Sequence, residues 1–320
     1  MNDVILATAG YDHSIKFWDA FSGACRKSIN YPESQINKLA ITADKKYLGV
    51  AAHNVVKVYD ILSHENEVSF EGHTGNITSL GFQKENKWFF TSSEDSTLKI
   101  FDFRASGYMR NLSNNGIMVN SAVLNPNQVE VIFGDQSGRI KIWDLTMNTT
   151  RDLFEDQEEI GIRSLCIANN SSKLVAGNSA GICYIWNSNN GEDFQPQQEL
   201  EAHRDQYILK CQMNKDRTLL ATCSSDRSCK IWKLNEVEDE FEEYQELAGH
   251  GGWVWDCDFT SDSVYCITAS TDTCVRIWKI DKADVRKTLV GHQKGITCMA
   301  FSDTQVKQLV AQQTNNMIPR

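Results

Sequence analysis

Seven stretches of the chain share one pattern of apolar and polar positions. They run 35–41, 76–82, 118–124, 161–167, 207–213, 253–259 and 295–301, and each starts 41 to 46 residues after the last. The second place is always Ile or Val: Ile36, Ile77, Val119, Ile162, Ile208, Val254 and Ile296. The seventh is always large and apolar, as in Ile41, Phe82 and Phe259. After each comes a short apolar run, a tight turn, and a run ending in an aromatic: Trp18, Tyr59, Phe101, Trp143, Trp186, Trp232 and Trp278. Short apolar runs bounded by turn residues predict β-strands, and a fixed long period predicts a repeat architecture.

The turns carry a second signal. Asp12, Asp95, Asp226 and Asp272 each stand six residues before the closing aromatic. His73, His203, His250 and His292 each precede one of the seven stretches. Seven units with a His, a turn Asp and a closing Trp match the WD40 pattern, a four-stranded blade per repeat. The fold predicted is all-β, a seven-bladed β-propeller over residues 1–303, with a polar, disordered tail at 304–320. The first strand, Val4–Ala9, has little chain ahead of it. Blade one is therefore expected to begin with its second strand and to borrow its innermost strand from 296–302, which closes the ring and removes free sheet edges.

Not all units are equally regular. Blade two has no turn Asp and ends in Tyr59, blade three ends in Phe101, and blades four and five carry Gly138 and Gly181 in their turns. Residues 187–198 and the acidic run 236–246 read as surface inserts, the second a solvated face or a contact for a basic partner.

Charge and composition narrow the function. The net charge of -10 argues against nucleic acid as a main partner. No run approaches a membrane span, and none reads as a signal peptide. Ten cysteines without a CxxC pair read as small buried residues of a reducing compartment, not as disulfides or a zinc site. No cofactor or small-molecule substrate is expected.

The His and Asp residues invite an enzymatic reading, with His250 as base and Asp272 as orienter. But the pairing recurs once per unit, whereas a catalytic pair occurs once per site. Together with Trp18, Trp232 and Trp278, these residues are expected to be structural. No nucleotide-binding, metalloprotease or nucleophile-elbow motif is present.

A binding face is the better reading. The first and third places of the seven stretches should ring one end of the channel. They are Gln35/Asn37, Asn76/Thr78, Met118/Asn120, Gly161/Arg163, Tyr207/Leu209, Trp253/Trp255 and Gly295/Thr297. Aromatics and an Arg inside a polar rim are the composition of a protein-interaction hot spot. Trp253 and Trp255 are the expected anchors. Gln35, Asn37, Asn76, Asn120 and Arg163 would supply hydrogen bonds, and Tyr207 an amphipathic edge. A methylated-lysine reader built on Tyr207, Trp253 and Trp255 is an alternative, although no ring position supplies the carboxylate such a cage uses.

From 4 to about 303 the chain resembles the G-protein-β-subunit-like WD40 subunit of the TOR (target of rapamycin) kinase complexes. The likeness is carried by Val4-Ile5-Leu6-Ala7-Thr8-Ala9-Gly10-Tyr11-Asp12-His13, Gly134-Asp135-Gln136-Ser137-Gly138 and Leu219-Leu220-Ala221-Thr222-Cys223-Ser224. Gly252-Trp253-Val254-Trp255 and Gly291-His292-Gln293-Lys294 carry it too. The resemblance implies a non-catalytic subunit seated on the C-terminal lobe of a TOR kinase domain, stabilising the active kinase within both TOR complexes. It implies a cytoplasmic location, with peripheral recruitment to endosomal or lysosomal/vacuolar membranes alongside the complex. It places the contact face at Gln35, Asn37, Trp253 and Trp255. The acidic run and the tail depart from the family pattern. A WD40 adaptor of another assembly, such as a ubiquitin ligase or a G-protein-like complex, is the competing reading. A G-protein β subunit would carry an N-terminal coiled-coil helix, of which this sequence shows no sign.

Overall fold

The computed structural model describes residues 4–105 and 107–303. It contains seven four-stranded antiparallel sheets arranged as a β-propeller. The predicted inner strands are observed at Ile36–Ile41, Ile77–Phe82, Val119–Leu124, Ile162–Ile167, Ile208–Met213, Val254–Phe259 and Ile296–Asp303. Each begins at the Ile or Val that opens the repeat. Those residues are almost fully buried, because an inner strand packs against a neighbouring blade. A side chain there has no solvent-facing alternative, and this is why the pattern is so regular.

Ring closure is as expected. Ile296–Asp303 pairs antiparallel with Val4–Gly10, and the sheet continues through Ser14–Trp18 to Cys25–Asn30. Blade one is thus stitched from both ends of the described chain. Gly10 is required where the two meet, since a Cβ there would stand 2.1 Å from the Gly295 carbonyl oxygen. The core consists of seven apolar clusters lying mainly between successive blades. Among the described residues the only helical turn is the three-residue Ile280–Lys282.

The two expected inserts are corrected. Most of the acidic run belongs to the outermost strand of blade six, Glu240–Ala248, with Phe241 and Leu247 buried beneath it. Outer strands face water along most of their length, so charge is compatible with them. Likewise the loop expected at 187–198 is shorter. The outer strand of blade five begins at Gln195, and Phe194 is buried just before it. The tail expected at 304–320 lies outside the described residues.

Candidate functional site

Two polar systems stand out, one between the blades and one at the channel mouth. The first absorbs the His and Asp residues. His203 follows the outer strand of blade five. Its backbone N–H bonds the Gly181 carbonyl in that blade's turn, and its Nδ1 lies 2.7 Å from Asp226 in the turn of blade six. Its Nε2 lies 2.9 Å from Thr222 Oγ1, which also accepts Trp232 Nε1–H at 3.0 Å. The same chain of bonds joins Trp278, Thr268, His250 and Asp272 in blade seven. It joins Trp18, Thr8, His292 and Asp12 in blade one. Blade three has Thr91, His73 and Asp95, without the indole.

The proton positions in this chain are dictated by its ends. An indole N–H can only donate and a carboxylate can only accept. The threonine hydroxyl therefore donates to Nε2, and Nδ1–H donates to the carboxylate. The imidazole is neutral: burial, outweighing the adjacent Asp, pulls His73, His250 and His292 below the ordinary imidazole value. All four rings are buried and no bond is left over for a substrate. These residues fasten one blade to the next, as their once-per-blade recurrence predicts. The threonines were missed in the sequence. Each stands four residues before its Asp, but Thr is too common in strands to signal anything by itself.

The second system is the channel mouth. A cavity of about 970 Å³ is lined by all eight candidate residues, Gln35, Asn37, Asn76, Asn120, Arg163, Tyr207, Trp253 and Trp255. The first and third ring places turn out to differ. Three first places reach the rim: Met118, Tyr207 and Trp253 are 42%, 42% and 41% exposed. Three third places link neighbouring blades. Thr78 Oγ1–H donates to the Val119 carbonyl, Asn120 Nδ2–H to that of Ile162, and Thr297 Oγ1–H to that of Ile36. Asn120 also donates to Gln136, and Arg163 Nε–H to Ser179. Asn76 is held between His53 and Glu94.

Trp255 holds a third place and is only partly exposed. Its Nε1–H is buried without a hydrogen-bond partner in the chain. The two expected anchors differ in exposure: Trp253 projects and Trp255 lies beneath it, partly covered. Their rings lie 5.9 Å apart, and Tyr207 meets Trp253 edge-on at 6.1 Å. The Arg163 guanidinium stands 5.3 Å over the Tyr207 ring. One sector of the rim, from blade five to blade seven, therefore carries an ordered aromatic group.

Carboxylates do occur near this site, at places the ring pattern did not cover. Glu94 lies at the mouth. Outside the cavity lining, Asp256, next to Trp255 on the same strand, lies 3.6 Å from Lys38 Nζ and 3.5 Å from Lys210 Nζ. Burial pushes its neighbour Asp258 up to about 7, against the pull of Lys210.

The fold and its interblade fastenings define a WD40-repeat β-propeller. A family model for the WD domain, G-beta repeat, matches residues 65–102, 194–233, 241–279 and 284–306. The chain is 40% identical over 230 residues to "Target of rapamycin complex subunit wat1" of Schizosaccharomyces pombe, covering 70% of this chain and 73% of that protein. It is 42% identical over 230 residues to "Target of rapamycin complex subunit LST8" of Saccharomyces cerevisiae, covering 70% and 75%. It is 45% identical over 234 residues to "Protein LST8 homolog" of Dictyostelium discoideum, covering 71% and 76%. The chain belongs to the LST8 family of target of rapamycin complex subunits. No helix among the described residues is long and apolar enough to cross a membrane.

Proposed function

We propose that this protein is a non-catalytic scaffold subunit of TOR kinase complexes and docks on the kinase through the channel mouth. The observation that carries the site is Trp253, a large apolar side chain standing 41% exposed on a rim that is otherwise mostly polar. An indole buries about 150–250 Å² when covered, and losing one at an interface centre costs on the order of 2 kcal/mol or more. Trp255 braces Trp253, and Tyr207 with Arg163 forms an amphipathic flank. Gln35, Asn37, Asn76 and Asn120 form the polar part of the rim. Asn76, Asn120 and Arg163 bond to neighbouring residues of the rim and channel wall, so they present a fixed surface that loses little freedom on binding.

The kinase surface met by this rim is the C-terminal lobe of the catalytic domain, and docking stabilises the active kinase. The protein acts in the cytoplasm with its complex. It has no reaction of its own, since the buried His–Asp pairs are consumed in joining blades. The test is recovery of the kinase with a tagged double variant, Trp253→Ala with Trp255→Ala. Kinase recovery should fall sharply while the thermal melt moves only a few degrees. Undiminished recovery would overturn the site. Recovery of a different assembly, with no kinase, would favour the general adaptor reading.

A further inference from the structure

Each pair of neighbouring blades meets at four equivalent places. One is a small residue on the second strand of the first blade, and one is its cross-strand partner. The third lies on the inner strand of the next blade, and the fourth on that blade's second strand. Between blades seven and one these are Ala269, Val275, Met299 and Leu6. Between blades five and six they are Gly177, Cys183, Cys211 and Leu220. Between blades six and seven all four are cysteines: Cys223, Cys229, Cys257 and Cys266. This accounts for four of the ten cysteines in the chain, at a contact that five of the seven blade pairs make without any.

We propose that these four thiols form a structural site for one zinc ion, clasping blade six to blade seven. The Sγ atoms of Cys223, Cys229 and Cys257 all lie within 4.8 Å of one another. Cys266 stands on the neighbouring strand of blade seven, outside that 4.8 Å group, with its thiol buried and under the influence of Cys229 and Cys257. Four sulfurs each about 2.3 Å from zinc stand about 3.8 Å from one another in a tetrahedron, so Cys223, Cys229 and Cys257 need side-chain adjustments of about 1 Å and Cys266 swings in to close the fourth position. Thiolates are soft ligands suited to zinc, and four protein ligands leave no open position, the mark of a structural site.

The surroundings fit that role. All four side chains are sealed, at 0% or 1% exposure, so the ion enters as the blades close during folding. Ligation replaces thiol protons with the cation, which makes binding pH-dependent. Four thiolates around a divalent ion carry an excess of two negative charges. The Lys210 ammonium, whose field reaches Cys257, offsets part of it. The lack of a CxxC pair excludes only sites whose ligands are adjacent in the chain. Here the ligands come from four strands of two blades and spread from 223 to 266.

The experiment measures metal in the full-length chain, purified without chelators and dialysed. Mass spectrometry of the elements should find one zinc per chain in the wild type and in Cys211→Ser at the neighbouring interface, and none in Cys257→Ser. Refolding the wild type with cobalt(II) alone should give intense sulfur-to-cobalt charge-transfer bands and tetrahedral d–d bands. The cobalt spectrum decides the matter even if Cys257→Ser fails to fold. A folded wild-type protein with no stoichiometric zinc and no cobalt bands would overturn the proposal. So would copper in place of zinc, or a Cys223–Cys229 disulfide in the peptide map.

Discussion

Blades one, three, six and seven differ from blades two, four and five in how their turns are held. In the first group a buried imidazole ties a threonine on the second strand to the turn carboxylate. In the second group the imidazole's place is taken by Tyr31, Asn114 and Asp156. Each still bonds through its backbone N–H to the preceding turn, at His13, Ser96 and Gly138 respectively. Their side chains solve the same problem separately. Asn114 Nδ2–H donates to Asp135, and Asp156 accepts from the Tyr184 hydroxyl. Tyr31 fills its site with an aromatic ring, under the Lys57 ammonium. The WD-repeat family model matches segments around the first group and passes over most of the second. The propeller therefore needs each turn anchored, but not by one set of residues. A recognisable repeat is a sufficient condition for a blade, not a necessary one.

The comparison can be broken at its strongest point. His250→Ala leaves Asp272 and Thr268 without their buried partner and should cost about 2–3 kcal/mol in urea unfolding. Tyr31→Phe at the matching place of blade two keeps the packing and should cost about 1 kcal/mol or less. Equal losses would show that the His network is no more than packing.

Acid should sharpen the contrast by a smaller amount. His73, His250 and His292 titrate below the ordinary imidazole value because burial disfavours the charged ring. A group depressed in this way stabilises the fold fully above its unfolded value of about 6.5, and that stability is lost as pH falls through the lower folded value. For Asp226, burial pushes upward but the hydrogen bonds it accepts from His203 and Ser228 prevail, holding it at about 2. Its contribution is complete above 3.8 and disappears as pH falls through about 2. Melting temperature should thus fall in two stages on acidification. A melt unchanged between about pH 7 and pH 4 would contradict the neutral-imidazole assignment.

Much of this was legible in the sequence. The inner strands were clear because they are buried on both sides, so every blade repeats the same apolar places. The His–Asp spacing was clear because each residue has a fixed place in a bond network. Outer strands were not, since water on their exposed face permits almost any composition. That is how Glu240–Ala248 passed for an insert. Depth was not legible either. A two-residue alternation puts Trp253 and Trp255 on one side of a strand, but the strand starts only at Val254 and its register shifts between Val254 and Asp256, so alternation does not fix how far each projects. The four clustered cysteines are the extreme case, because only the closure of two blades on each other brings them together.

The docking face is tested most directly by hydroxyl-radical footprinting of the protein, free and within the assembled kinase complex. Oxidation of Trp253 and Tyr207 should be strongly suppressed in the complex, while that of Phe21 and Met147, 59% and 71% exposed on other parts of the surface, stays the same. Equal oxidation of Trp253 in both states, with protection elsewhere, would contradict the account.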